Sequence, residues 1–172
     1  MRKRQQAAER ERVERFERVF SEHSRSVFAY AARRVPARAD EIVAETFAVV
    51  WRRFDDLPAD IEPWLYGVAR RVLAGHWRSD SRQSALVSRL IDLATPETHG
   101  TIDETDHSEL YEALGQLAES DREALLLTYW EELEPERAAR VLGISRDAFN
   151  QRVHRARERL RALCQEAKAT HE

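Results

Sequence analysis

The side chains Ile42, Val43, Thr46, Phe47, Val50, Trp51 and Phe54 follow one another at spacings of one, three and four. That is the period of an α-helix with one buried face. The same period runs through Val13, Phe16, Val19 and Phe20 and then Val27, Phe28, Ala31 and Val35, up to Pro36. It returns in the pairs Trp64/Leu65, Val68/Ala69 and Val72/Leu73, which recur every four residues behind Pro63. The segment DDLPAD separates the second and third stripes, and Pro63 reads as the first residue of the third helix. Three such stripes can bury one another, which predicts a helical domain over residues 8–80. With 5 Gly and 5 Pro in 172 residues, and Ala, Arg, Glu and Leu dominant, little interrupts helices and the chain reads as all-α.

From Ser79 the pattern decays into a segment with Ser, Thr, Pro and Gly, read as a linker over residues 81–107 with at most one short helix around Leu86 to Leu93. A second small helical domain follows over residues 108–166. Leu110, Ala113, Leu114 and Leu117 form a short helix, and SDRE reads as a capping box in which Ser120 and Glu123 satisfy the first amides of the next. Pro135 opens a helix with Ala138, Ala139 and Leu142 that Gly143 ends, and Ser145 caps the one after it. Two helices across so short a turn form a helix-turn-helix, whose second helix can enter a DNA major groove.

Charge is unevenly spread around a net value of −3. From Ile91 to Asp121 there are nine acids and no Lys or Arg; Arg70 to Arg82 holds four arginines against one acid, and Arg146 to Arg161 six against two. An acidic middle between two basic segments is a sign asymmetry that calls for an explanation. In the last helix Phe149, Val153, Ala156, Leu160 and Leu163 make an apolar seam, leaving Arg146, Asp147, Asn150, Gln151, His154 and Arg155 pointing away from it. Arg grips guanine and Asn or Gln grips adenine in bidentate fashion, each pair discriminating by about 1–3 kcal/mol. Arg157 and Arg161 are candidates for phosphate contacts, while Arg152 and Arg159 take no assigned role.

Other function classes find little support. Cys164 is the single cysteine, too few for a disulfide framework or a cysteine-rich zinc site. Glu104 and His107 have the spacing of a di-iron carboxylate motif, but one copy is not a site. No phosphate loop, nucleophile elbow or zinc-protease motif occurs, so neither an enzyme nor a metal or cofactor is predicted. The N-terminus lacks the apolar core of a secretory signal, and no stretch approaches the roughly 18 apolar residues of a membrane span. The chain is expected to be soluble and cytoplasmic, with no membrane partner.

The run LLLTYWEELEPERAARVLGISRDAFNQRVHRARERLRAL resembles region 4 of the extracytoplasmic-function (ECF) sigma factors, bacterial RNA polymerase initiation subunits of the sigma-70 family. DEIVAETFAVVWRRF followed by PWLYGVARRVLAGHWR resembles their region 2, in the expected order. The resemblance implies core RNA polymerase and promoter DNA as partners, with an anti-sigma factor as a further one. Region 2 would dock on the clamp of the largest subunit through Glu41, Glu45, Arg52 and Arg53, and region 4 on the flap of the second-largest. The last helix, with Arg146, Asp147, Asn150, Gln151, His154, Arg155, Arg157 and Arg161, would read the −35 element. Arg70, Arg71, His76, Trp77 and Arg78, with the preceding loop, would open the −10 element; Trp64, Tyr66 and Trp77 are candidates for stacking on bases. The family pattern has Gln at Ala44, Asn at Arg71 and Asp at Gly75. Two other readings stand beside this one: a helix-turn-helix regulator that acts without polymerase, and a sigma-like protein that sequesters a partner.

Overall fold

The computed structural model describes residues 2–88 and 108–170. The chain forms two compact units that divide between Ile91 and Asp92, and every described element is an α-helix or a short 3-10 turn. The first unit contains α1 (Arg2–Ala32), α2 (Ala39–Arg52) and α3 (Ile61–Ser88); the second contains α4 (Ser108–Gln116), α5 (Glu119–Tyr129), α6 (Pro135–Leu142) and α7 (Arg146–Thr170).

In the first unit the three stripes cover one another. Val27, Tyr30 and Ala31 of α1 meet Ile42, Thr46, Phe47 and Val50 of α2 and Leu65, Tyr66, Val68, Ala69 and Leu73 of α3, all buried. Tyr30 and Tyr66 stack with ring centroids 5.0 Å apart, so Tyr66 is core and is not available to a base. Val43, Trp51 and Trp64 are half-buried at the edges of this core. Helix α1 ends at Ala32, ahead of the expected Pro36. The ring of Pro36 excludes the carbonyl four residues back, and it pushes Val35 out of the helical region to φ −145°, ψ 79°. Helix α3 starts at Ile61, so Pro63 lies within its first turn rather than opening it; the amide that proline lacks has no helical acceptor there. It runs on to Ser88, into the segment read as linker, and no Gly or Pro interrupts residues 76–88. Residues 89–107, with Glu104 and His107, lie outside the described residues.

The second unit is built around α7. Leu114, Leu117, Leu125 and Ala156 form a buried cluster against which Val153, Leu160 and Leu163 pack, and Phe149 is buried among the crossing helices at 1% exposure. The capping box at Ser120 does not form. Helix α5 starts at Glu119 with Ala118 as its N-cap and no side-chain cap, and the amides of Asp121 and Arg122 both donate to the Ala118 carbonyl at 2.9 Å. Burial of Leu117 fixes the chain just ahead of Ala118, so Ser120 falls inside the helix. Glu119 and Asp121 supply first-turn negative charge instead.

The turn between α6 and α7 follows the sequence expectation. Pro135 is in the first turn of α6, and Gly143 ends it in the left-handed conformation at φ 67°. The Ile144 amide donates to the Ala139 carbonyl at 3.1 Å and the Gly143 amide to that of Arg140 at 3.3 Å, the pair of bonds of a Schellman motif. Two residues on, the Ser145 hydroxyl accepts from the Ala148 amide at 3.2 Å. A β-carbon added at Gly143 meets nothing within 4 Å, so the penalty for any other residue is conformational. Gly143→Ala is expected to lower the unfolding free energy by about 1–2 kcal/mol, read as a shift of the urea midpoint; an unchanged midpoint would show that the turn relaxes around the new side chain.

Candidate nucleic-acid interface

Helix α7 is held along one side by Phe149, Val153, Ala156 and Leu160, which settles what the opposite side presents. Arg146, Asp147, Asn150, Gln151, His154, Arg155, Arg157 and Arg161 are all exposed. Residues 146, 150, 154, 157 and 161 fall at helical spacing on one stripe, with Gln151 and Arg155 beside it. The acids on this face are partly spoken for. Asp147 lies 3.8 Å from Arg146 Nε and in the first turn, where negative charge is favoured; Glu158 lies 3.4 Å from His154 Nδ1. Arg152, unassigned from the sequence, turns inward: its Nε is 3.9 Å from Asp121 of α5 and both side chains are about three-quarters covered.

Beside the stripe the structure shows a feature that the helical pattern did not announce. Leu110, Leu114, Leu125, Tyr129, Trp130 and Leu160 line an apolar groove of about 340 Å³, with Arg157 and Arg161 on its rim. Tyr129 is 54% exposed, and Leu110 and Trp130 are each over one-third exposed. The two aromatic residues fall where α5 ends at Tyr129 and the chain turns. Glu132 follows at φ 50°.

In the first unit Glu41, Glu45 and Arg52 are exposed on α2, as is Arg53 just past its end. On α3, Arg71 and Arg78 are exposed, whereas Arg70, His76 and Trp77 are half-buried. The two sets are not separate. His76 Nε2 is 2.9 Å from Glu45 Oε1, its Nδ1 is 3.9 Å from Glu41 Oε2, and Arg38 Nη1 is 3.2 Å from the same Nδ1. A guanidinium only donates, so Nδ1 accepts from Arg38 and Nε2 carries the proton that is given to Glu45. Ligand atoms of Glu41, Glu45 and His76 lie within 4.8 Å of one another, the one such grouping among the described residues. Arg38 already supplies it with a cation.

The same side chains border a groove of about 540 Å³ between α2 and α3. Val49, Val68, Val72 and Gly75 contribute apolar lining, and Glu45, Arg53, Arg71 and His76 the polar part. Its lining mixes α2 residues expected to touch a protein with α3 residues expected to touch DNA. A β-carbon at Gly75 meets nothing within 4 Å.

The comparisons with known proteins agree with this arrangement. A family model described as "Sigma-70 region 2" matches residues 19–83, and one described as "Sigma-70, region 4" matches residues 107–160. The RNA polymerase sigma factor CarQ of Myxococcus xanthus is 34% identical over 156 residues, covering 86% of this chain and 88% of CarQ. The ECF RNA polymerase sigma factor SigM of Bacillus subtilis is 27% identical over 128 residues, 73% of this chain and 78% of SigM. The probable RNA polymerase sigma factor RfaY of Xanthomonas campestris is 31% identical over 147 residues; the match takes in 79% of this chain but 36% of RfaY, a much longer protein. Among solved structures, the sigma factor RpoE of Bartonella quintana, in complex with the anti-sigma factor NepR, has the same fold. Its TM-score is 0.67 at 22% identity, over 87% of this chain and 96% of that one.

The His76–Glu45 contact can be measured directly. A double-mutant cycle with His76→Ala and Glu45→Ala is expected to give a coupling of about 0.5–1 kcal/mol in unfolding free energy; strict additivity would show that this contact adds nothing to stability.

Proposed function

Because the chain belongs to the ECF subfamily of sigma-70 family RNA polymerase sigma factors, we propose that it binds core RNA polymerase and directs initiation through a −35 contact by α7 and a −10 contact by α3. The observation that carries this reading is the stripe on α7. A capped helix, clamped along its apolar seam, turns Asn150, Gln151, His154 and Arg155 outward, and these are side chains able to hydrogen-bond base edges. Arg157 and Arg161, further along, meet phosphate and fix the register.

The remaining parts divide between protein and DNA. The exposed face of α2, with Glu41, Glu45 and Arg52 and with Arg53 at its end, docks on the clamp of the largest subunit. The apolar groove at Tyr129 and Trp130 takes the flap of the second-largest subunit, since an exposed aromatic groove of this kind is stabilised by an apolar partner. Arg70, Arg71, Trp77 and Arg78 of α3, with the loop ahead of it, hold the opened −10 strand. Unstacking a base costs a few kcal/mol, roughly, which stacking and cationic contacts offset. Polymerase performs the covalent chemistry. An anti-sigma factor is a further partner of this chain, supported by the likeness of its fold to an RpoE that is held by NepR.

Reconstitution with core polymerase, followed by mapping of transcript starts, tests the whole reading. Promoter-dependent starts sharing −35 and −10 elements are expected. Failure to bind core would overturn the assignment, and binding without promoter-dependent starts would favour a protein that sequesters its partner.

A finer test separates readers from anchors on α7. Asn150→Ala is expected to change the preference among −35 sequences. Arg161→Ala is expected to weaken all sequences alike and to reduce the slope of log affinity against log salt by about one. Equal, sequence-independent losses from both would remove the distinction.

A further inference from the structure

Helix α2 ends at Arg52, and its last carbonyls have no helical donor. The Arg53 amide serves those of Val49 and Val50. That of Trp51 accepts a hydrogen bond from Arg12 Nη2 at 2.9 Å, across 39 residues of sequence. The same guanidinium lies 4.8 Å from the Trp51 ring centroid, and its Nη2 is 3.9 Å from Asp55 Oδ2. A planar cation at a helix C-terminus, over an aromatic face and beside a carboxylate, combines three favourable placements. Arg12 Nε is buried without a hydrogen-bond partner, while the side chain as a whole is half-buried.

Its neighbours on α1 reinforce the contact. Arg15 lies over Phe54 at 5.3 Å, and Phe16 meets Trp51 and Phe54 edge-on at 5.2 and 6.1 Å. Together these side chains hold both the end of α2 and the 3-10 turn Phe54–Asp56. That turn leads directly into residues 57–60, the loop ahead of α3. All three residues precede residue 19, where the match to region 2 begins.

We propose that Arg12 is a positioning residue for −10 opening, one that fixes the loop at 57–60 relative to the docking helix α2. The proposal rests on the reading that this loop and α3 hold the opened strand. A loop that must capture a base while α2 is fastened to polymerase gains from being tied to α2's end, because its ordering is then complete before DNA arrives. Asp55 stays exposed, and the guanidinium 3.9 Å away offsets part of its repulsion of phosphate.

The test uses the full chain with Arg12→Met, which keeps the apolar stem, and Arg12→Lys, which keeps the charge without the planar fork. Hydrogen exchange of the amides at 55–62 in the uncomplexed protein reports the brace itself. Fluorescence of 2-aminopurine in the −10 element, with core polymerase, reports opening. For Arg12→Met, exchange at 55–62 is expected to quicken about tenfold and opening to slow by a similar factor, with core affinity and −35 duplex affinity within about twofold of wild type; Arg12→Lys should fall between. Unchanged exchange at 55–62 overturns the brace. Quickened exchange with unchanged opening overturns its role in positioning, as does a rise in exchange throughout the first unit with a parallel loss of core affinity. A wild-type protein that binds core but never opens the −10 element refutes the functional reading, and with it the role of Arg12 in opening, while the exchange measurement still decides whether the brace exists.

Discussion

A helix with charge around most of its circumference can be buried along one narrow stripe only, and this constraint governs both units. Charged residues make up 34% of the chain, so each helix has few apolar positions to offer and little choice about which side faces inward. Phe149 and Ala156, at 1% and 0% exposure, fix the rotation of α7 and therefore the outward direction of Asn150, Gln151 and His154. Ile42 and Val50 do the same for Glu41 and Glu45 on α2. The proposed contacts all fall on the part of each helix that the core does not use. A core mutation that let a helix rotate would disorder the interface before it unfolded the protein.

Local patterns of this kind are legible in a sequence, because spacing along a helix converts directly into direction. The three stripes of the first unit, the stop at Gly143, the cap at Ser145 and the seam of α7 all follow from it. The two-part resemblance to region 2 and region 4 rests instead on particular runs of residues, and the family comparisons bear it out. What was not legible depends on residues distant in sequence or on competition between nearby signals. SDRE has the composition of a capping box, but burial of Leu117 starts α5 earlier and Ala118 takes the cap. Tyr66 has the chemistry of a base-stacking residue, and only the approach of Tyr30 shows that it is core. The apolar groove at Trp130 needs α4, α5 and α7 together, so no single segment announces it.

The charged residues show the same limit more sharply. His76 was assigned to DNA and Glu45 to polymerase on the strength of separate motifs, yet they share a 2.9 Å hydrogen bond. Whatever presses on the exposed face of α2 is therefore felt on α3 through a polar contact as well as through the core. Arg12 and Arg152 make the complementary point. Both stand in runs of charge that look uniformly solvated, and both are used inside the fold, one at the end of α2 and one against Asp121. In a chain this rich in arginine, the inward-turned minority cannot be told from the outward majority by composition.

Gly75 leaves one part of α3 with a reserve of stability. It lies within the helix, where glycine is less stable than alanine by about 0.5–1 kcal/mol, and the space around its missing β-carbon is open. Packing does not hold glycine there, and the aspartate of the family pattern would meet no obstacle at its β-carbon. Alanine or another strong helix former there would add a side chain to the lining of the α2–α3 groove and make the helix firmer. At this position a new side chain and a more stable helix run in the same direction.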